Sequence, residues 1–511
     1  MNSLVVALLV SQNLFARTYG GTGNDGARAM IRSLDGSYML AGYTASWGAG
    51  GSDFLVTKID PAGAVVWTSV LGGANDEIAS CICQTSDAGC AVAGSTKSAG
   101  AGGSDILVVK MDASGAPAWA WAFGGTADEG AYAIIQMTDG DYLVAGYTAS
   151  FGGDGIDLLL LRLDQTGGLT SARTFGGGGL LFGYRASSSI IKTSDGGYAV
   201  AGWIEPSNGN VDMLLLKLDA SGSLAWARNY GGLYFDWASS IIQTADGGYA
   251  IAGPIYHYSE MSWNPFVMKL DASGNPLWTK TLGWQYYDLA TSVIQTSDGG
   301  FAVSGYTNNF TGFDNQEFLF LKLDPSGVPT IARTLGGPSP DFAYSAVQDP
   351  DGGYVLAGET GSFGAGGNDL MLLKLDANGG YADCVIDQMP SSRDTTLPNG
   401  SPSVGEDCSP TVTDPGLTVT TPGLAITDVC EPLYDRVGES GSALPGPGVT
   451  SRAVSGAVLF FSLGVAVIGI YSPDGRLVYN GCLVKGENRI PLETGVYFWR
   501  AGAYKGKAVV R

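Results

Sequence analysis

The sequence predicts an all-β protein: a seven-bladed β-propeller of four-stranded blades, followed by a linker and a small C-terminal β-sandwich. Three observations carry this expectation. A glycine pair recurs at near-constant spacing along most of the chain, each period repeats the same four strand-like segments, and no period holds an apolar stripe of helical length.

The pair begins at Gly20, Gly72, Gly124, Gly176, Gly231 and Gly336, with a Gly-Trp copy at Gly283, and the steps are 52, 52, 52, 55, 52 and 53 residues. In the third period AYAIIQM (131–137), YLVAGYT (142–148) and DLLLLRLD (157–164) precede a further strand that ends at the next glycine pair. Segments of this length, rich in Val, Ile, Leu and Tyr and bounded by Gly and Asp, are strands joined by hairpins. Aspartates recur at the first hairpin turn, at Asp35, Asp87, Asp139, Asp195, Asp246, Asp298 and Asp351. Asp accepts a hydrogen bond from the backbone two residues on, and the Gly beside it supplies positive φ. Seven turns and seven strands of the LLLKLD type set seven blades. Two segments compete to complete the last one, 14–19 from the N-terminal end and 381–387 from the other. Either would remove an exposed sheet edge, and a monomer is expected.

Composition narrows the chemistry. With 78 Gly among 511 residues and only 15% charged residues, the chain suits short strands and tight turns rather than helices. A net charge of −21 excludes nucleic acid and anionic membrane surfaces, which need clustered Lys and Arg. One histidine, His257, excludes any mechanism that needs two imidazoles, and the seven cysteines form no CxxC pair, so no metal and no cofactor is expected. Calcium is left open by two recurring sets of acids, Asp25, Asp76, Asp128, Asp236, Asp288 and Asp341 after the glycine pairs, and Asp53, Asp105, Asp157, Asp212 and Asp369 before the third strands. No specific calcium motif supports it, and because these acids recur with the blade, loop hydrogen bonds are the expected role.

Residues peculiar to one copy ask for a separate reason. Strand order places the Gly-Gly loops and the loops before the third strands on one face. There the middle of the chain concentrates aromatic residues: Tyr234, Trp237, Tyr256, His257, Tyr258, Trp263, Trp284, Tyr286 and Tyr287. Such rings suit a glycan or peptide surface, and they equally suit packing of loop against loop. No nucleophile elbow is present and no catalytic residue is identified. The expected function is a binding, adhesion or structural module, with a secreted hydrolase or lyase of polysaccharide as the alternative.

Residues 1–13 hold an apolar run, Leu4 to Val10, without preceding Lys or Arg; they read as a clipped signal segment or an early strand. The propeller is expected to span 14–386. From 387 to 449 the chain is rich in Ser, Thr, Pro and Gly and reads as a linker or thin β-module. The strand pattern of 450–511 closes the chain. Val454 to Tyr471 is apolar enough to raise a membrane span, but the Pro-Asp-Gly turn that follows and the strand pattern beyond it argue for β-structure.

The repeat GGTADEGAYAIIQMTDGDYLVAGYT (124–148) resembles a bacterial and archaeal β-propeller repeat family. In the C-terminal part, Tyr471, Gly475, Arg476, Gly486, Asn488, Gly495, Tyr497 and Lys507 fall where the type A sorting domain of the type IX secretion system places its motif. That resemblance implies export, recognition by the type IX secretion machinery, and a secreted or outer-membrane cell-surface location.

Overall fold

The computed structural model describes residues 14–152, 155–175, 189–204, 211–231, 235–257, 262–283, 287–308 and 316–381, and beyond 381 the backbone of the strands alone. The apolar run before residue 14 lies outside them.

Seven antiparallel sheets follow one another along the chain, each with its four repeat strands in order from inner to outer. In the third blade these are Glu129–Gln136, Tyr142–Thr148, Asp157–Leu163 and Leu169–Phe175. The second and third strands are apolar on both faces, as in DLLLLRL, because each blade is covered on both sides by its neighbours. Burial follows the same logic. Seven clusters of buried residues form the core, and each is shared by two adjacent blades. The cluster between blades two and three joins Ile106 and Phe123 to Leu159 and Leu161.

Of the two segments that compete to close the ring, the N-terminal one does so. Phe15–Gly20 pairs antiparallel with Asp369–Leu375 and becomes the outer strand of blade seven, with Tyr19 opposite Leu370. Tyr19 is fully buried, and its hydroxyl donates to the Gly63 carbonyl of blade one at 2.8 Å.

Repeated polar contacts tie each blade to the next. At five of the seven junctions the Gln that ends an inner strand accepts, through Oε1, the backbone N–H of the preceding blade's turn, as in Leu34 to Gln84 at 3.0 Å, Ser86 to Gln136 at 2.8 Å and Ser297 to Gln348 at 2.9 Å. Blade four carries Lys192 there, and the Thr138 N–H meets the Tyr198 hydroxyl at 3.3 Å. Blade one carries Arg32 at this position, so the closing junction is ionic. Asp349 accepts from Arg32 Nε at 3.1 Å, from the Tyr38 hydroxyl at 2.6 Å and from Lys374 Nζ at 2.7 Å.

The recurrent turn aspartates take the expected role. Asp35 Oδ1 accepts the Ser37 N–H at 3.0 Å, with Gly36 at φ +88°. The cation of each LLLKLD-type strand, Lys in six blades and Arg162 in the third, adds a partner: Lys58 meets Asp35 at 2.6 Å, Lys110 meets Asp87 at 2.8 Å and Arg162 meets Asp139 at 2.6 Å. Blade two departs in one respect, since Ala88 occupies the glycine position at φ +65°.

Within 387–449 the backbone adds a short fifth strand to the outer edge of the blades. Ile386–Asp387 lies on blade six, Ser391–Asp394 on five, Asn399–Gly400 on four, Glu406–Asp407 on three, Thr411–Thr413 on two, Thr418–Thr420 on one and Ala425–Asp428 on seven. The chain thus retraces the ring in reverse and covers its outer edges, including the closing strand, which pairs through Thr18 with Thr427. Further on lie a three-stranded sheet, in the order Val449–Val454, Ala457–Ser462, Gly486–Pro491, and a four-stranded one, in the order Leu477–Leu483, Ala466–Tyr471, Gly495–Ala501, Tyr504–Val510. The apolar run 454–471 therefore contains two strands, and no helix among the described residues is long and apolar enough to cross a membrane.

Two stability measurements test this account. Asp349→Ala removes the acceptor of Arg32 and Tyr38 and leaves the buried Lys374 with Asp351, 3.7 Å away, and is expected to cost about 3 kcal/mol, whereas Gln136→Ala, at an ordinary junction, is expected to cost about 1 kcal/mol; urea unfolding of the full chain compares them, and equal losses would contradict the special role of the seventh junction. Ala88→Gly is expected to stabilise by about 1 kcal/mol, because it relieves a left-handed conformation that a Cβ opposes. A lowered unfolding midpoint would refute that.

Candidate functional site

The inner strands surround the axis, and their register is interrupted at one place. In five blades the pairing skips a residue, between Ala27 and Ala29, Ala79 and Cys81, Ala131 and Ala133, Ala290 and Ser292, and Ala343 and Ser345. A β-bulge leaves its extra residue out of the ladder and re-aims the side chain. The extra residues are Arg28, Ser80, Tyr132, Thr291 and Tyr344, and all five line a cavity of about 620 Å³ on the propeller axis. Tyr306 and Trp237 complete its aromatic wall, and Ser189, Ser239, Ser240, Ser292 and Ser345 bring further hydroxyls.

Arg28 is the one formally charged side chain among the described residues that line the cavity. Its guanidinium carbon lies 4.4 Å from the ring centre of Tyr344 and 5.3 Å from that of Tyr43, a cation–π arrangement that fixes the plane of the group. Glu359 stands 3.6 Å from Arg28 Nη2, and each of its carboxylate oxygens is already engaged, one by the Tyr43 hydroxyl at 2.6 Å and the other by the Tyr344 hydroxyl at 3.0 Å. Burial holds both phenols well above their usual range, so both stay protonated donors. Arg28 Nε is buried without a hydrogen-bond partner. An unmade bond of this kind costs on the order of 1–3 kcal/mol.

The aromatic residues singled out in the sequence are only partly brought together. Trp237 lines the cavity. Behind it Trp263, 9% exposed, packs between Trp237 at 4.6 Å and Tyr256 at 5.0 Å, on the hairpin that pairs Tyr256 with Trp263. For Trp263 the geometry is therefore packing of loop and strand. Tyr287 is exposed, its N–H bonded to Asn308 Oδ1 at 2.8 Å. The His257 backbone pairs with Ser262, while the His257 side chain and Tyr234, Tyr258, Trp284 and Tyr286 lie outside the described residues. Of the sorting motif, Tyr471, Gly486, Asn488, Gly495, Tyr497 and Lys507 fall on strands of the two C-terminal sheets, and Gly475 and Arg476 lie outside the described residues.

The two sets of acids meet at the blade junctions, with one correction of alignment. Asp25 is matched in blades two and three by Glu77 and Glu129, one residue beyond Asp76 and Asp128, since each is the first residue of its inner strand and pairs with the equivalent Thr44, Thr96 or Thr148. Asp25 accepts the Gly21 N–H at 2.7 Å, Glu77 that of Gly73 at 2.6 Å and Glu129 that of Gly125 at 2.6 Å. Asp76 and Asp128 instead accept the N–H groups of Ser52 and Ser104. These acids press on the first glycine of each pair. A Cβ on Gly20 would lie 1.7 Å from Asp369 Oδ1 and 2.9 Å from Asp25 Oδ2; on Gly124, 1.7 Å from Asp105 Oδ1 and 2.8 Å from Glu129 Oε2. The repeated glycine is thus a consequence of two carboxyl groups sharing one point. Burial raises Asp53, Asp105 and Asp369 to about 6, with the charge of Glu77, Glu129 or Asp25 adding to it.

Fold and cavity together define a β-propeller with an aromatic, hydroxyl-lined axial site. No family model matches the chain. It is 31% identical over 137 residues to the regulatory protein FlaEY of Caulobacter vibrioides, a match covering 24% of this chain and 14% of that protein, so the likeness spans only a small part of that relative's length. Among solved structures it is similar to a protein of unknown function from Dyadobacter fermentans, at 12% identity and a TM-score of 0.41 over 70% of this chain and 98% of that one. A thermostable family-43 glycoside hydrolase matches at 11% identity and a TM-score of 0.26, over 56% of this chain and 97% of that one.

The junction carboxyls predict a pH profile. Asp53, Asp105 and Asp369 hold their protons more tightly folded than unfolded, where Asp titrates near about 4, so their contribution is complete below about pH 4 and is lost as pH rises through about 6. Asp246 and Asp298 act in the opposite sense. Thr244 with Lys269, and Lys322 with Thr296, lower them to about 2, so their contribution is present above about pH 4 and disappears as pH falls towards about 2. Urea midpoints measured across this range are expected to peak near about pH 4–5, and Asp53→Asn is expected to flatten the decline towards neutral pH. A profile that rises steadily to pH 7 would contradict the assignment.

Proposed function

We propose that the protein is an exported binding module of the cell surface whose propeller takes a glycan in the axial cavity. The observation that carries this reading is the convergence on one cavity of five bulged residues of four types, Arg, Ser, Thr and two Tyr. The bulge recurs as part of the fold, while the identity of its residue is free to serve a ligand. Tyr132, Tyr306, Tyr344 and Trp237 offer ring faces on which the C–H face of a sugar can stack, and the surrounding Ser and Thr hydroxyls offer short-range donors and acceptors for sugar hydroxyls. The described lining residues include no Asp or Glu, whereas hydrolysis by the usual glycosidase route needs a pair of carboxyl groups across the scissile bond. Binding is therefore the activity that this site supports best. Export rests on the resemblance of 450–511 to a type IX sorting domain, and makes the secretion machinery a partner and the cell surface or medium the location.

Titration calorimetry of the full chain against a panel of oligosaccharides tests the reading. Tyr132→Ala is expected to weaken binding about tenfold, equivalent to about 1.4 kcal/mol, without lowering the unfolding midpoint, whereas Tyr287→Ala, on the exposed loop, is expected to leave affinity unchanged. The reverse pattern would move the site to the loop face, and no binding to any glycan would overturn the proposal.

A further inference from the structure

The cavity carries a chemical bias. The chain as a whole has 48 Asp and Glu against 27 Lys and Arg, yet the charged group on the described cavity wall is the cation Arg28. Screening at physiological ionic strength acts over about 8 Å, so the charge a ligand meets is set by Arg28 and its neighbour Glu359 and not by the distant surface. Arg28 is also pre-organised. Tyr344 and Tyr43 flank its guanidinium plane, and Glu359, with its oxygens taken up by the two phenols, approaches Nη2 only to 3.6 Å. Nε is enclosed by protein, so a ligand meets this group through its Nη donors. A planar fork held in this way matches the two oxygens of a carboxylate, which it can engage through paired N–H donors. A lysine could supply charge here but not that geometry.

Resting on the glycan reading above, we propose that Arg28 makes the axial cavity selective for carboxylate-bearing sugars, so that its ligand is a uronic-acid glycan. The ring faces of Tyr132 and Tyr306 take the sugar planes, the serine and threonine hydroxyls take its hydroxyls, and Arg28 takes the carboxylate.

The test titrates the full chain with tetrasaccharides of galacturonate, alginate and hyaluronan, and with methyl-esterified tetragalacturonate, which keeps the sugar shape and removes the charge. The native protein is expected to bind at least one acidic tetrasaccharide, at least tenfold more tightly than the ester. Arg28→Gln is expected to erase that preference, and Arg28→Lys to retain part of it. Equal affinity of the native protein for acid and ester overturns the role of Arg28 and leaves the glycan reading standing; this comparison does not depend on any variant folding. Binding of neutral glycans alone has the same consequence. Failure to bind any sugar, acidic or neutral, overturns the glycan reading and this inference together.

Discussion

The structure depends on a sheet that cannot shield itself. Each blade buries residues on both faces of its second and third strands, and the seven core clusters lie between blades, not within them. Such a sheet is stable only when it is covered on both sides, and a ring provides this for every blade at once. The requirement falls hardest on blade seven, whose outer strand comes from the N-terminal end of the propeller. There Phe15–Gly20 supplies the missing edge and runs on into blade one, and at the same junction the Gln-to-backbone contact of five others gives way to Asp349 between Arg32, Tyr38 and Lys374. Covalent connection and this bonded cluster hold the closing junction together.

Closing the ring leaves seven outer edges bare, and bare edges pair with other chains. The segment 386–428 answers this with one short strand per blade, laid down in the order six, five, four, three, two, one, seven. The sequence holds a trace of it. DPGLTVT (414–420) and TPGLAIT (421–427) are a seven-residue repeat, with Pro-Gly before each strand that pairs with a blade edge. Composition reads this stretch as a linker or a thin β-module and does not place its strands, because two- to four-residue strands carry little apolar pattern and pair with blades distant in the chain.

The propeller itself was legible because its signals are local and repeated. Glycine pairs, Asp-Gly turns and apolar strands each declare themselves within a few residues, and seven copies average out the exceptions. The reason for the glycine pair was not legible. It arises from two carboxyl groups on different blades converging on one Cα, as Asp369 and Asp25 do at Gly20, and no single period contains both. The step of 52 residues from Asp25 leads to Glu77 and Glu129, each the first residue of its inner strand, so the repeat spacing itself identifies these acids, whereas matching by residue type leads to Asp76 and Asp128.

Residues unique to one copy are conspicuous in the long loops, and of these Trp237 lines the cavity. The more informative variation sits inside a strand, immediately after the recurrent alanine, where Arg28, Ser80, Tyr132, Thr291 and Tyr344 replace one another while the flanking positions hold their pattern. Strand positions are normally fixed by packing on two sides. A bulged position escapes that constraint, since its residue leaves the ladder and faces the axis. The fold thus sets aside one unconstrained position at the same height in blade after blade. Repetition that holds the scaffold constant also makes the cavity wall the place where seven near-identical units can differ without disturbing one another.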